Sequence, residues 1–167
     1  MAIYQVIKTV QIKRALTGEQ ETFTVVQGTE MFCVRGRQIQ STHIYWVPTG
    51  EDVADEENYL APVDDPDYNL QLDFQIYREK YGVLMPAEVK KIREDYQLSL
   101  RQYALILGIS YSTLSEIENG LILQSDEQES LFQLSRNRVA FKNLIVAKEA
   151  VMSASQFQRI QDKIAQL

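Results

Sequence analysis

The chain has 167 residues, 45% of them hydrophobic and 24% charged, and its formal net charge at pH 7 is −6. This composition is typical of a soluble globular protein of one or two domains, and the absence of a long apolar run excludes an integral membrane protein. The negative charge argues at first against nucleic-acid binding, because cations that neutralise phosphates supply most non-specific affinity.

Two features predict a cytoplasmic protein. The start, MAIYQVIKTV, lacks the charged segment and long apolar core of a signal peptide. Cys33 is the single cysteine, so an internal disulfide is excluded and a reducing compartment is favoured. Within the run MFCV, Cys33 is expected to be a small buried hydrophobe rather than a nucleophile.

Residues 3–47 are predicted to form a small antiparallel meander of three to five strands. They are rich in β-branched and aromatic residues, notably in residues 22–26, 31–34 and 44–47. The predicted turns are Gly18-Glu19, Gln27-Gly28, Arg35-Gly36 and Thr49-Gly50.

The meander offers little for catalysis or for metal binding. His43 is the single histidine, and no serine, cysteine or carboxylate is placed in the sequence to form a triad with it. A structural zinc needs four nitrogen or sulfur ligands, whereas the chain offers Cys33 and His43. We therefore predict no catalytic residues, no metal and no cofactor.

An acidic segment follows the strands. Residues 51–79 carry ten acidic residues and one arginine, Arg78. Because residues 51–67 include Pro62 and Pro66 and show no regular ligand spacing, a solvated, partly flexible linker is expected. The alternative is a negative surface for a basic partner, such as a nuclease-type toxin.

The spacing then predicts an amphipathic helix that connects two domains. Leu70, Phe74, Tyr77 and Tyr81 recur at intervals of four, three and four residues. Asp67 is the expected N-cap of this helix, and Gly82 is expected to end it.

Residues 85–120 are predicted to form three short helices separated by two tight turns. Pro86 suits a first helical position, since its missing N–H would have no partner there. Ser99 and Gln102 form a capping box that begins the second helix, and Gly108 ends it by adopting the left-handed conformation. Small Ala104 allows the second and third helices to cross closely.

The third helix of this segment has the pattern of a recognition helix. Ser110 is its N-cap, and Leu114 and Ile117 form one buried stripe, so the outer surface is free for base edges and phosphates. An ordinary three-helix cluster with no ligand is compatible with the same core residues. The predicted DNA-binding residues are Arg101, Gln102, Ser110, Tyr111, Ser112, Thr113, Ser115, Glu116 and Asn119.

The chain ends in further amphipathic helices. Ser125 and Gln128 form a second capping box, after which Leu131, Phe132 and Leu134 are expected to be buried. Two later helices are either dimerisation elements or completions of the monomer core. Their predicted apolar residues are Phe141, Leu144, Ile145, Phe157, Ile160 and Ile164. The balance of charge is basic from Arg136 onward, whereas residues 86–120 have a net charge of −1.

The segment YGVLMPAEVKKIREDYQLSLRQYALILGISYSTLSEIENG resembles the Xre, or lambda-repressor-like, helix-turn-helix domains. It is most similar to the C-terminal domain of MqsA-type antitoxins. The resemblance implies dimeric binding to a double-stranded operator, repression of the protein's own operon, and a toxin held by the N-terminal domain.

The same resemblance also shows departures from the family pattern. Val47, Pro48 and Thr49 stand where the zinc ligands of the antitoxins are expected. The two base-reading positions of the antitoxin domain, an asparagine and an arginine, correspond to Ser112 and Glu116. The phosphate-binding glutamine of many Xre domains corresponds to Leu100.

We therefore predict an α+β protein with four segments. They are a β-rich N-terminal domain with an acidic linker (1–66), a connecting helix (67–84), a helix-turn-helix domain (85–137) and C-terminal helices (138–167). The predicted function is a dimeric DNA-binding repressor that binds its operator through residues 110–119. The alternative is a protein-binding antitoxin or adaptor whose helix-turn-helix no longer binds DNA, and no constellation of residues supports an enzyme.

Overall fold

The computed structural model describes residues 4–166, so residue 3 of the predicted β region lies outside the described residues. Within this range, a three-stranded antiparallel sheet is followed by seven α-helices, which confirms the α+β class. The chain divides into two compact units, a sheet unit that ends at Lys80 and a helical unit that begins at Tyr81.

The sheet has the simple order β1-β2-β3, with neighbouring strands antiparallel. The strands are β1 (Gln5–Lys13), β2 (Gln20–Val34) and β3 (Arg37–Pro48). Positive φ angles at Arg35 and Gly36, of 49° and 73°, form the tight turn between β2 and β3. This turn, the one at Gly18, where φ is 74°, and the one at Thr49-Gly50, where the φ of Gly50 is 98°, confirm three of the predicted turns.

The turn predicted at Gln27-Gly28 is wrong. Strand β2 runs through both residues, and Gly28 pairs with His43 of β3. A Cβ atom on Gly28 would lie 2.6 Å from Cδ1 of Tyr4. Glycine at this position makes room for an aromatic ring against the sheet, which is a different use of the residue from a turn.

Two expectations about single residues of the sheet unit are also wrong. Cys33 is exposed near the end of β2, so it is not a buried hydrophobe. His43 does have a carboxylate partner: its Nε2 lies 2.8 Å from Oδ1 of Asp73, and its Nδ1 lies 3.1 Å from the Tyr45 hydroxyl. Asp73 is thirty residues away along the chain, so no local pattern could reveal the contact.

Helix α1 (Tyr68–Tyr81) buries one of the four predicted stripe residues, Tyr77, and half-buries Phe74 and Tyr81. Leu70 is 47% exposed, whereas Asp73, Tyr77 and Arg78 are buried. The predicted stripe assumed apolar packing, but polar groups anchor the helix to the sheet. Its end is as predicted, because Gly82 follows with a φ of 68°.

Polar and backbone groups also cover the outer edge of β3. The side-chain amide of Asn69 accepts from Ile44 N at 3.0 Å and donates to Ile44 O at 2.8 Å. Leu60 forms a β-bridge with Trp46, and Lys80 Nζ donates to Gln38 O at 2.8 Å. An edge strand covered in this way has fewer free groups to pair with another chain.

Residues 51–57, the start of the acidic segment, are exposed, as the prediction of a solvated stretch requires, and two of their carboxylates have local partners. Asp52 accepts a hydrogen bond from Ala54 N at 2.9 Å, and Asp55 accepts one from Glu57 N at 3.0 Å. Asp55 thereby caps a short 3₁₀ helix, Glu56–Asn58.

The helical unit contains the remaining six α-helices. They are α2 (Pro86–Asp95), α3 (Leu100–Leu107), α4 (Tyr111–Glu118), α5 (Asp126–Ser135), α6 (Arg138–Ala147) and α7 (Ala154–Ala165). The predicted capping boxes at the starts of α3 and α5 are confirmed, and Pro86 is the first residue of α2. A further box begins α7, at Ser153 and Gln156.

One hydrophobic core joins the helix-turn-helix to the C-terminal helices. Leu114, Ile117, Phe132, Phe141 and Ile160 are all 0% exposed and belong to a single cluster. The C-terminal helices therefore complete the core of the monomer, and their role in dimerisation stays a prediction. Leu134, expected to be buried, is 38% exposed, because the buried face of α5 is centred on Phe132 instead.

Among the described residues, none of the helices combines the length and apolar character needed to span a membrane.

Candidate nucleic-acid interface

Helices α3 and α4 and the turn between them have the geometry of a helix-turn-helix. Gly108 ends α3 in the left-handed conformation, with φ 71° and ψ 29°, and its N–H donates back to the last turn of α3. Ser110 then caps α4, since its Oγ accepts a hydrogen bond from Thr113 N at 3.0 Å. Ala104 is 2% exposed where the two helices pack. The turn is therefore set by residues that hold the backbone in one conformation.

A buried ion pair fixes α4 against α2. Arg93 donates from Nε and Nη2 to the two carboxylate oxygens of Glu118, both at 2.8 Å, and from Nη1 to Leu98 O at 3.0 Å. The hydrogen bonds to Glu118 raise the pKa of Arg93. A bidentate pair of this kind fixes orientation as well as distance. Because the Glu118 side chain is 6% exposed, its charge is neutralised inside the domain.

The predicted residues of α4 fall into two groups. Tyr111, which is 49% exposed, Ser112 and Glu116 lie on the outer face of the helix. Ser110 and Thr113 are engaged in the cap, where their hydroxyl oxygens lie 2.7 Å apart. The outer face therefore presents Tyr111, Ser112 and Glu116, while Ser110 and Thr113 hold the start of the helix. The Ser112 Oγ also contacts the cap, since it lies 3.0 Å from the Ser110 Oγ.

The last two predicted residues of this helix lie toward its C-terminal end. Ser115 is half-buried, and Asn119 is exposed just after the helix. Asn119 Nδ2 donates to Ser115 O at 2.7 Å, so the amide group folds back on the last turn of α4.

The two predicted residues of α3 lie in its first turn. The guanidinium carbon of Arg101 lies 4.8 Å from the centre of the Tyr111 ring, a cation–π contact that links α3 to the start of α4. Gln102 uses its Oε1 to accept from Ser99 N at 3.0 Å and from Lys163 Nζ at 2.9 Å. The structure thus brings Arg101 to the exposed face of α4, while the Gln102 side chain lies in the cap.

Ion pairs cancel some charges of the helix-turn-helix, but each removes one acid and one base, so the net charge of −1 is unchanged. Glu118 is paired with Arg93, and Asp95 is paired with Lys91 at 2.9 Å. Glu116 therefore remains as an exposed acid on α4 itself.

The C-terminal helices add two cations that sequence reasoning did not assign to the site. Lys163 of α7 contacts Gln102, and Lys148 Nζ lies 3.4 Å from the position that a Cβ atom on Gly108 would occupy. The excess of basic residues from Arg136 onward is the one sequence signal for these cations, and it does not predict which part of the domain they contact.

No group of three or more His, Cys, Asp or Glu side chains that could hold a metal ion occurs within residues 4–166.

Residues 89–128 match the family model described as helix-turn-helix, a span that includes α3, the turn and α4. This part of the chain is therefore a helix-turn-helix domain of the class found in DNA-binding transcription regulators. Within that class, the matching family, HTH_3, is the Xre or lambda-repressor-like one, and the match covers less than half of the chain. No curated protein and no solved structure matches this chain.

Proposed function

We propose that this protein is an Xre-type transcriptional repressor that places α4 in the major groove of a double-stranded operator. The observation that carries the proposal is the exposed face of Tyr111, Ser112 and Glu116 on a helix held in place by the Arg93–Glu118 pair. Base reading needs side chains that project from a rigid helix of this kind.

Each exposed side chain has a chemical role that fits this placement. Glu116 can accept a hydrogen bond from the amino group of cytosine, and Tyr111 can contact a thymine methyl group. Ser112 can donate to a base edge or to phosphate. Asn119 and Arg101 suit phosphate contacts, which position the domain without reading the sequence.

Dimeric binding is the second part of the proposal. Val139 and Val146 lie seven residues apart on α6 and are 69% and 55% exposed. Such a pair of apolar side chains on one helix face can contact the same face of a second copy. A two-fold dimer would read two half-sites about one turn of DNA apart.

The experiment starts from selection of double-stranded DNA from a random pool, followed by fluorescence anisotropy at two salt concentrations. We expect one preferred sequence family and an affinity that falls steeply with salt. Glu116→Gln should alter the base preference within each half-site and raise affinity for random DNA, where the carboxylate makes no base contact and only repels phosphate. Asp126→Asn is the matched control, since it removes one exposed acid from α5 outside α3 and α4.

Two results would contradict the repressor. One is the absence of sequence selectivity for the wild type at low salt. The other is an identical effect of the two substitutions, which would mean that Glu116 acts through net charge and does not read bases.

A second candidate function has its own supporting observation. Residues 51–57 are exposed and include the carboxylates of Glu51, Asp52, Asp55, Glu56 and Glu57. We propose as the second candidate that these carboxylates bind a basic toxin encoded by a neighbouring gene. Expression of the neighbouring gene alone should then stop growth, and co-expression of the full-length protein should restore it. The double substitution Glu56→Gln, Glu57→Gln should weaken this restoration. A harmless neighbouring product would overturn this candidate.

A further inference from the structure

The sheet has one covered edge and one open edge. On the β3 side, Leu60, Asn69 and Lys80 bond to backbone groups of the strand. On the opposite side, β1 pairs with β2, and in the part of the chain that the structure describes no other segment forms a backbone hydrogen bond with β1. All side chains of β1 except Val10 and Ile12 are exposed. The outer edge of β1 is therefore available to another strand.

The pairing of the sheet determines which residues of β1 direct their backbone groups outward. Trp46 exchanges backbone hydrogen bonds with Leu60 at 2.9 and 3.0 Å, on the side of β3 that faces away from β2. Val25 lies opposite Trp46 and therefore turns its own N–H and C=O groups toward β1, because the direction of bonding alternates along a strand. Lys8 is the partner of Val25, so Lys8 bonds to β2. The residues of β1 whose backbone groups point outward are then Thr9, Gln11 and Lys13.

A second hydrogen bond supports this assignment. Arg14 N donates to Glu19 O at 2.9 Å and continues the register of the β1–β2 ladder. Arg14 is separated from Lys8 by an even number of residues, so both bond toward β2. The pairing is regular from Lys8 to Lys13, whereas the register shifts just before Lys8. The part of the edge that can accept a strand is thus the straight segment from Lys8 to Lys13.

The backbone of this segment is complementary to a second copy of itself. In an antiparallel pair with a two-fold axis at Gln11, the two Gln11 residues lie opposite each other, and Thr9 lies opposite Lys13 of the second copy. All three outward residues then form bonded pairs, and each pair exchanges two backbone hydrogen bonds. An axis at Lys13 would place two lysines opposite each other, and an axis at Thr9 would require the irregular backbone at Ile7.

The apolar side chains favour the same register. Val10 and Ile12 of one copy lie opposite Ile12 and Val10 of the other. Both residues pack against the apolar cluster that includes Phe23 and Trp46. Pairing at Gln11 would therefore join the apolar clusters of the two sheets across the axis, and cross-strand pairs of this kind stabilise a sheet.

The charges of the edge permit this pairing. Lysines on an edge strand prevent association where they meet like charges. With the axis at Gln11, Lys13 lies opposite Thr9, which is uncharged. Lys8 lies opposite Arg14, at the solvent-exposed end of the interface, and Arg14 already forms an ion pair with Glu21 at 2.7 Å. The repulsion at this exposed position is weak.

We infer that the open edge of β1 is a self-association surface, through which two copies of the chain join their sheets into one continuous antiparallel sheet. The surface lies in the sheet unit, and its existence does not depend on the proposed repressor. It differs from the pair of Val139 and Val146 on α6, which is proposed above for the DNA-binding dimer.

The first test places proline at an outward position of β1. Gln11→Pro removes an N–H group that points to the open edge, a position at which an edge strand tolerates proline. Gln11→Ala is the matched control, because it removes the same side chain and keeps the N–H group. Both variants and their parent carry Val139→Asp, which removes the apolar contact proposed for α6. Light scattering over a series of protein concentrations gives the dissociation constant of the dimer.

The parent with Val139→Asp should form a dimer, and Gln11→Ala should change its dissociation constant little. Gln11→Pro should raise the dissociation constant roughly a hundredfold, because the two-fold axis doubles the loss of one backbone hydrogen bond. The denaturation midpoint read from Trp46 fluorescence, at a dilution where the variants are monomeric, should be similar for proline and alanine. A similar midpoint separates a lost contact between copies from a damaged sheet.

A second test needs no proline. Gln11→Lys and Gln11→Glu each place like charges opposite each other at the axis, so each variant should dimerise more weakly than Gln11→Ala. An equal mixture of the two should form the mixed dimer in preference to either homodimer, because opposite charges then meet. Native mass spectrometry identifies the mixed dimer when one variant is labelled with a heavy nitrogen isotope.

A parent that is monomeric at every concentration would overturn the second copy as the occupant of this edge, and would leave the edge to solvent or to a strand of another protein. Equal dissociation constants for Gln11→Pro and Gln11→Ala would also overturn the inference. So would a mixture of the Lys and Glu variants that shows no preference for the mixed dimer. None of these results depends on whether the protein selects an operator.

Discussion

The contacts within the sheet unit and the contacts within the helical unit differ in how far apart their partners lie along the chain. In the helical unit, three helices begin at a Ser-x-x-Gln capping box, in which the partners are three residues apart. In the sheet unit, the contacts that anchor α1 join residues far apart along the chain. His43 meets Asp73 at a separation of thirty residues, and Ile44 meets Asn69 at twenty-five. Short-range sequence patterns therefore predict the helical unit better than the sheet unit.

The packing of the two units differs in the same way. The helical unit has one extended apolar cluster that includes residues from α2 to α7. The sheet unit has a smaller cluster around Phe23, Val25 and Trp46, and it adds aromatic contacts such as Tyr4 with Tyr59, whose ring centres are 5.0 Å apart. Burial raises the pKa of Tyr4. The sheet unit thus depends more than the helical unit on specific pairs of polar and aromatic side chains.

The largest expected effect comes from the apolar core of the helical unit. Phe141 is 0% exposed, and its ring contacts Tyr96 and Tyr103 at centre distances of 4.5 and 5.8 Å. Phe141→Ala should lower the free energy of unfolding by about 3–5 kcal/mol, because it leaves a cavity in the apolar core of the helical unit. Chemical denaturation followed by far-UV circular dichroism measures the loss.

Two controls make that result a test of the comparison. Val139→Ala removes a side chain that is 69% exposed on the same helix, so its effect should be within about 0.5 kcal/mol. Fluorescence of Trp46, the single tryptophan, reports on the sheet unit. In Phe141→Ala, the denaturation midpoint read from this fluorescence should shift less than the midpoint read from circular dichroism. Equal shifts of both signals would show that the units unfold together and that their separate treatment is wrong.

An intermediate effect is expected from the long-range polar contact of the sheet unit. Asp73→Ala leaves Nε2 of the buried His43 without its partner, which should cost about 1–3 kcal/mol. Denaturation followed by Trp46 fluorescence is the measurement. Gln75→Ala, on the exposed side of α1, is the control and should have little effect. A stability unchanged by Asp73→Ala would mean that apolar packing alone anchors α1.

The errors of sequence reasoning concentrate in the sheet unit for this reason. Gly28 was assigned to a turn because glycine often forms turns, whereas its role depends on the ring of Tyr4, which packs against it from elsewhere in the chain. Leu70 was assigned to a buried stripe because of its spacing, but α1 faces the sheet with Asp73, whose partner is in β3. Neither partner can be inferred from the residues next to it.

The sequence also predicts one part of the candidate site and misses another. The exposed face of α4 followed from the spacing of Leu114 and Ile117 together with the cap at Ser110, all within eight residues. The position of Lys163 did not, because it depends on how α7 packs against α3, sixty-one residues earlier.

The smallest effect is expected from one of the local signals that predicted the helices. Ser99 accepts from Gln102 N at 3.2 Å, and Ser99→Ala should lower the free energy of unfolding by about 1 kcal/mol, the usual value of an N-cap. Ser130→Ala, an exposed serine of α5 outside any cap, is the control, and far-UV circular dichroism again follows unfolding. A loss as large as that of Phe141→Ala would show that Ser99 has a tertiary role. With the expected result, the capping boxes of the helical unit are easy to recognise because their partners are close in sequence, while most of its stability comes from the core that they help to align.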